Sequence, residues 1–209
     1  GERLRPITEA TPKPLLEVAG QTLLGRHLER LALAGFTRAV VNVSHLAEKI
    51  TAHFGDGSRF GMRIDWSRET EPLETAGGIA QARMLLGPAP FLLLNADIWC
   101  DYDFLRLRGF ALGKRLAHLV LVANPPQHPA GDFSLARGII GEAPSPRYTY
   151  AGIAVLSPRL VAEIAAGQKA PLAPLWRAAA ARGKVTGELY DATGAMSEQW
   201  SASAHCGHG

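Results

Sequence analysis

The stretch Phe91-Leu92-Leu93-Leu94-Asn95-Ala96-Asp97 constrains this chain more than any other. Consecutive apolar residues leave no polar face, so a strand made of them must be buried on both sides. Such a strand needs covering elements above and below the sheet. Asp97 then stands just past the C-terminal end of a buried strand, where open α/β sheets bind ligands. A hard oxygen donor at that point suits Mg²⁺ bridging phosphate oxygens. A turn or helix-cap aspartate is the competing reading, and strand and position together favour the metal.

The flanking pattern alternates strands and helices. Leu23, Leu24, His27, Leu28, Leu31 and Ala32 repeat with helical period, and Gly35 follows as a stop. A buried strand is expected over Arg38–Val43, a helix over Leu46–Phe54, a strand over Met62–Ser67 and a helix over Thr75–Leu86. This order predicts an α/β fold with a mainly parallel central sheet and helices on both faces. The second half differs. Strands are expected over His118–Ala123 and Tyr148–Leu156, with a small antiparallel hairpin between them at Asp132–Leu135 and Gly138–Ile140. A helix opening at Pro158, a helix over Leu172–Ala181 and a last strand over Val185–Tyr190 complete the pattern. No linker divides the chain, so residues 1–191 are expected to form one domain, with 192–209 as an atypical tail.

Composition excludes several classes of function. The 209 residues carry a net charge of only +3 and no basic tail, so nucleic acid is not an expected partner. No apolar run reaches transmembrane length and no signal-peptide core is present, so no membrane association is expected. Cys100 and Cys206 form neither a disulfide framework nor a metal spacing, which fits a reducing cytoplasm. The seven histidines lack ligand spacing and read as surface residues; Trp66 and Trp99 read as packing residues. Oligomeric state is not legible.

Two more segments bear on chemistry. The first sixteen residues place Arg3, Arg5 and Lys13 among Pro6, Pro12 and Pro14, behind Gly1 and Glu2. A proline-stiffened loop with fixed cations suits a polyphosphate; a solvated basic end reads equally well. The second segment is Glu71-Pro72-Leu73-Glu74-Thr75-Ala76-Gly77-Gly78. Its glycine pair at a helix start allows close backbone approach, and Thr75 is positioned to cap the helix. Alone, this motif reads as an ordinary N-cap.

Together these residues resemble the signature of sugar-1-phosphate nucleotidylyltransferases. The resemblance rests on residues 1–8, Pro12-Lys13-Pro14-Leu15, Val18–Leu23, Glu74–Gly78 and Asp97. Gly55–Gly61, Glu71–Thr75, Asp101–Phe104, Ala117–Val122, Gly131–Phe133 and Gly183–Glu188 are most similar to the branch acting on N-acetylmuramate 1-phosphate in peptidoglycan recycling. The resemblance implies a Rossmann-like, GT-A-like fold and transfer of a uridylyl group from UTP to a sugar 1-phosphate. It implies that Gly1, Glu2 and Arg3 cradle the triphosphate, that Arg3 and Lys13 neutralise charge, and that Thr75, Gly77 and Gly78 hold the nucleoside. It further implies that Asp97 binds Mg²⁺ and that Asp132 and Gly152 face the sugar. Other members of the family pair mannose 1-phosphate with GTP or glucose 1-phosphate with dTTP, and Thr75–Gly78 does not distinguish the base. A non-catalytic nucleotide-binding module is the alternative from another class.

Two departures accompany the resemblance. The family carries a strand and a Leu-Ala-Ala-Gly stretch before the glycine that is Gly1 here; with this first strand missing, apolar neighbours are expected to be exposed and nucleotide binding weakened. The family also follows the Val185–Tyr190 segment with an Asp-Val-Gly-Thr motif bearing a second Mg²⁺ ligand, where this chain has Met196-Ser197-Glu198-Gln199. Met196–Ser203 can be written ATG TCG GAA CAG TGG AGC GCC TCG. Read one base earlier, those bases encode Asp-Val-Gly-Thr-Val-Glu-Arg-Leu. The tail from about Ala192 is therefore expected to be out of frame or disordered, and the chain as written nearly inactive. Independent reads of the coding DNA across codons 192–209 test this: a frame change is expected, and a confirmed unshifted frame would sink the idea.

Overall fold

The computed structural model describes residues 15, 17–18, 20–98, 100–144 and 146–191. A short antiparallel hairpin, β1 (Glu17–Val18) and β2 (Gln21–Thr22), leads into α1 (Leu23–Leu33). Thr22 caps α1 by accepting the Gly25 N–H on its Oγ1 at 3.2 Å, and Leu23, Leu24, His27 and Leu28 turn inward. Gly35, at φ +81°, ends the helix with its N–H on the Ala32 carbonyl.

β3 (Arg38–Val43) and β4 (Arg63–Arg68) pair in parallel, Arg38 against Arg63 through Val43 against Arg68. Between them lie α2 (Ala47–Phe54) and a 3₁₀ turn at Ser58–Phe60. Leu24, Leu28, Val43, Ile50, Phe54 and Ile64 fill the core of this part. α3 (Glu74–Gln81) and α4 (Arg83–Leu86) then cross to β5 (Phe91–Leu94). The helix expected over Thr75–Leu86 is thus broken at Ala82.

The remaining strands are β6 (Ala117–Val122), β7 (Phe133–Ala136), β8 (Ile139–Gly141), β9 (Arg147–Leu156) and β10 (Val185–Leu189). They join β5 in a six-stranded sheet of order β5-β9-β6-β10-β8-β7, with β7 also paired to β9. α5 (Ala173–Ala181) precedes β10. All six residues of β6 are buried. Leu119 and Leu121 face a core with Ala154, Leu156 and Trp176; Val120 and Val122 face a second core with Tyr102, Phe104 and Ile153. This is the period-2 alternation of a strand covered on both sides.

The sheet corrects three expectations. Among the described residues it is mixed rather than mainly parallel: only β6–β10 and the separate β3–β4 pair are parallel, whereas β9 runs antiparallel to β5, β6 and β7. A strand buried on both faces reads as continuously apolar whichever way its neighbours run. Helices cover one face, through Ile79, Ala80 and Trp176, while the other is covered largely by residues 98 and 100–112, which form a 3₁₀ turn at Phe104–Leu107. Pro158 opens only the 3₁₀ turn Pro158–Val161. The small antiparallel hairpin is present as β7–β8. Among the described residues no helix is long and apolar enough to cross a membrane.

Not all histidines are at the surface. His27 and His118 are buried, because each ring finds a hydrogen bond: His27 Nε2 with the Ile98 carbonyl at 2.8 Å, and His118 Nδ1 with Thr186 Oγ1 at 3.0 Å. Burial lowers both pKa values, that of His27 to about 4. An unfolded chain therefore takes up protons that the fold refuses, so stability is complete above about pH 6.5 and falls as pH drops toward 4. The urea midpoint is expected to fall from pH 7 to pH 5, less steeply in His27→Gln. A flat wild-type midpoint over that range would contradict neutral buried rings.

Candidate active site at the ends of β3, β4 and β5

Glu69 immediately follows β4, and its carboxylate ties three elements together. Oε1 accepts from Asn42 Nδ2 at 2.7 Å, near the end of β3, and Oε2 accepts from the Leu73 N–H at 3.1 Å, where α3 begins. The Glu69 N–H donates to the Val43 carbonyl at 2.8 Å. Gly78 lies against this pair: a Cβ there would meet Asn42 Nδ2 at 2.6 Å and Glu69 Oε1 at 2.7 Å. Thr75 is exposed, and with Gly78, Asn42, Glu69, Asn95 and Ala96 it lines the polar part of a cleft of about 1000 Å³.

The start of α3 differs from expectation. Leu73 holds the cap position with no side-chain bond, so Thr75 lies inside the helix rather than capping it. The Ala76 and Gly77 N–H groups donate to the Ala170 carbonyl at 3.0 and 3.1 Å. The first-turn donors that usually make an anion site are thus satisfied by the protein's own loop. Gly77 is needed there: a Cβ would collide with the Gln168 carbonyl and lie 3.1 Å from the Ala170 nitrogen. Gly77 therefore stands apart from Thr75 and Gly78.

Asp97 is partly exposed in the turn after β5. On one side of that turn the Asn95 N–H donates to the Gly152 carbonyl at 2.9 Å. Gly152 has φ +76°, and a Cβ on it would meet Ile98 Cγ2 at 3.0 Å and Asn95 Cβ at 3.2 Å. It lies where the β6–β9 register shifts, so the irregularity in β9 brings Gly152 beside the Asp97 turn. On the other side, α1 grips the chain after Asp97. His27 holds the Ile98 carbonyl, and Arg30, one turn later, donates to the Cys100 carbonyl and to the Tyr102 carbonyl, the latter at 2.7 Å. At neutral pH the His27 ring is uncharged, so Nε2 carries the proton in that bond and Nδ1 has no partner among the described residues. Cys100 is free and buried, and burial raises its thiol pKa, which makes it a poor nucleophile.

Asp132 lies at the antiparallel end of the molecule and is buried. Its Oδ2 accepts from the Tyr150 N–H at 2.8 Å and its Oδ1 pairs with His128 Nε2 at 3.1 Å, two residues along β9 from Gly152. Oδ2 thus ties the loop to β9, while Oδ1 closes the loop on itself through His128. Gly1, Glu2, Arg3 and Lys13 lie outside the described residues, as do Trp99, Met196 and the tail after Asp191. Among the described residues no three His, Cys, Asp or Glu side chains cluster as metal ligands. A partly exposed carboxylate next to Ala96, which lines the cleft, still fits Mg²⁺, which keeps waters and takes few protein ligands. Sequence reasoning missed Asn42, Glu69, His27 and Arg30. The one available signal was His27, a ring nitrogen pair on the apolar face of a helix.

This arrangement places hydrogen-bonding groups and one carboxylate just past the ends of β3, β4 and β5, where α/β folds bind ligands. The chain belongs to the nucleotidyl transferase family, whose model matches residues 1–138. It is 44% identical over 202 residues to the N-acetylmuramate alpha-1-phosphate uridylyltransferase of Neisseria meningitidis serogroup B, covering 91% of this chain and 85% of that protein. It is 35% identical over 207 residues to the enzyme of the same name from Caulobacter vibrioides, covering 90% and 83%. In fold it resembles a crystal structure named for a glucose-1-phosphate thymidylyltransferase of Bacillus anthracis, with a TM-score of 0.81 at 18% identity over 97% of this chain and 89% of that one.

The two glycines of α3 should separate in their effects. Alanine in either gains helix propensity of about 1 kcal/mol. At Gly78 the methyl group meets the hydrogen-bonded ends of Asn42 and Glu69 rather than backbone, so Gly78→Ala is expected to lower the urea midpoint less than Gly77→Ala and to weaken UTP binding several-fold. At Gly77 it meets backbone, so Gly77→Ala is expected to lower the midpoint. Equal midpoints in the two variants, read beside a UTP titration, would contradict this division.

Proposed function

We propose that this chain transfers a uridylyl group from UTP to N-acetyl-α-muramate 1-phosphate, giving UDP-N-acetylmuramate and pyrophosphate. The observation that carries the reading is the likeness, along nearly the whole chain, to uridylyltransferases of that specificity. The polar cleft at Asn42, Glu69, Thr75, Gly78 and Asn95 supports it, being open to a nucleotide beside the Asp97 turn. The setting is cytoplasmic sugar-nucleotide metabolism, in recycling of cell-wall material.

An oxygen of the sugar phosphate attacks the α-phosphorus of UTP. The new P–O bond forms as the bond to the β-phosphate bridging oxygen breaks, and pyrophosphate leaves with that oxygen and its electron pair. No covalent enzyme intermediate and no protein-borne proton transfer are needed, so the protein acts by positioning and charge neutralisation. Thr75 and Gly78 offer a close approach to the nucleoside, with Asn42 and Glu69 fixing the wall behind Gly78. Asp97 would hold Mg²⁺, which when bound neutralises and polarises the α-phosphate. Arg3 takes the leaving pyrophosphate and Lys13 the transferring phosphate, with Gly1 and Glu2 beside the triphosphate. Gly152 bounds the sugar side through its contact with Asn95, and Asp132 shapes that side by holding Tyr150 and His128.

Pyrophosphate release measured across four nucleoside triphosphates and several sugar 1-phosphates tests the reading. UTP with N-acetylmuramate 1-phosphate is expected to exceed every other pair at least tenfold, however slow the absolute rate. Asp97→Asn is expected to lower that rate at least 100-fold with an unchanged urea midpoint. A higher rate with GTP and mannose 1-phosphate, or with dTTP and glucose 1-phosphate, would reassign the specificity; UTP binding with no turnover for any pair would favour a binding module.

A further inference from the structure

The sugar of the proposed reaction carries more charge than glucose or mannose does. N-acetylmuramate is N-acetylglucosamine with a lactic acid ether on O3, so its 1-phosphate bears a second anion, a carboxylate, well away from C1. A carboxylate drawn into a cleft needs an opposite charge beside it. That cation has to stand apart from the groups that hold the phosphates.

Lys169 is placed for this. Its Nζ lies 3.7 Å from Oε1 of Glu74, which lines the cleft with Thr75 and Gly78. The backbone on both sides of Lys169 is fixed. Gln168 closes a turn with Ala165, donating its N–H to the Ala165 carbonyl and accepting the Ala165 N–H on its Oε1, each at 3.1 Å. Ala170 is tied to the start of α3: its N–H donates to the Leu73 carbonyl at 3.0 Å, and its carbonyl accepts from Ala76 and Gly77. Ala170 also packs against the core that holds Tyr150 and Trp176, and Tyr150 is followed two residues later on β9 by Gly152. The loop that carries Lys169 thus bridges the nucleoside side at α3 and the sugar side at β9. The cations deeper on the sugar side are committed elsewhere. Arg147 donates to the Ala143 and Asp132 carbonyls, and Arg177 pairs with Glu142 at 2.6 Å. The Lys169 side chain is 63% exposed, and 3.7 Å is an ion pair too long for a hydrogen bond. Glu74 itself has φ +59°, a left-handed conformation that suits glycine. The backbone gains nothing from glutamate there; what the side chain adds is a hold on Lys169 at the cleft.

We propose that Lys169 is a specificity residue for the lactyl carboxylate, its ammonium shared between Glu74 and the acid on O3 of the sugar. The proposal rests on the uridylyltransferase reading and adds to it the group that separates a muramyl substrate from its uncharged relatives. Lysine suits the task, since its three donors turn about one point charge and serve two carboxylates at once. A partly exposed pair of this kind is screened by salt, so the selectivity falls as ionic strength rises.

The test is calorimetric binding of two nucleotide sugars to the whole chain, UDP-N-acetylmuramate and UDP-N-acetylglucosamine, which differ only by the lactyl group. The wild-type chain is expected to prefer the first by about tenfold, the scale of one charge-assisted contact. Amidation of the lactyl acid is expected to abolish the preference, and so is Lys169→Gln, with an unchanged urea midpoint. Lys169→Arg is expected to restore most of it, which a merely structural role for the side chain would not require. The preference is also expected to shrink between low salt and about 0.5 M NaCl. Equal binding of the two ligands by the wild-type chain, a preference that survives in Lys169→Gln, or an equal loss of both ligands in that variant would overturn the proposal alone, because UDP-N-acetylglucosamine still reports the uridine site. Binding of neither ligand by the wild-type chain would overturn the uridylyltransferase reading and this proposal with it.

Discussion

Burial of β6 on both faces is the constraint on which the rest of this structure depends. Its six residues leave no side for solvent, so everything near it must supply either a ladder or a cover. β9 and β10 supply the ladders. Trp176 of α5 and Ile79 of α3 cover one face, and Tyr102 and Phe104 cover the other. Burying a large apolar side chain in such a core contributes about 1.5–3 kcal/mol. The irregular segment after Asp97 is therefore held as firmly as a helix would be, because Tyr102 and Phe104 are anchored beneath it.

The site inherits its order from polar contacts that are few and long-range. Glu69 draws Asn42 and the start of α3 together, and Gly78 is the space that pair requires. Gly152 does similar service on the opposite side, where its positive φ lets β9 bend against Asn95. Each glycine is small for a different neighbour: Gly77 for a backbone carbonyl, Gly78 for two side-chain ends, Gly152 for the turn after β5. What looked like one nucleoside-holding glycine pair is two packing solutions, one of which opens onto the cleft.

Much of the fold could be read from the chain because its strands are short apolar runs bounded by turns. The run at Phe91 and the carboxylate after it led directly to β5 and the Asp97 turn. Strand direction was not readable, since Tyr148–Leu156 is apolar on both faces whether its neighbours run with it or against it. Thr75 looked like a cap because Thr is a good one, yet Leu73 takes that place when the Ala170 carbonyl supplies the acceptor. Asn42 and Glu69 were out of reach for another reason: they are 27 positions apart, and neither residue type signals that meeting. His27 was visible as part of a helical stripe, but only the fold shows that its ring holds the Ile98 carbonyl.

α1 is the splice between two parts that share no strand ladder among the described residues. Leu24 and Leu28 lock it into the core beneath β3 and β4, while His27 and Arg30 hold the chain that follows Asp97. Asn42 and Glu69 on one side and the Asp97 turn on the other are thus set at a distance by one rigid lever. A helix of eleven residues is about 16 Å long, so a tilt of roughly 4° about one end moves the other by about 1 Å. A misplacement of about 1 Å at reacting groups can cost on the order of 100-fold in rate. The tolerance of the chemistry is thereby written into the seating of a helix that bears no reacting group.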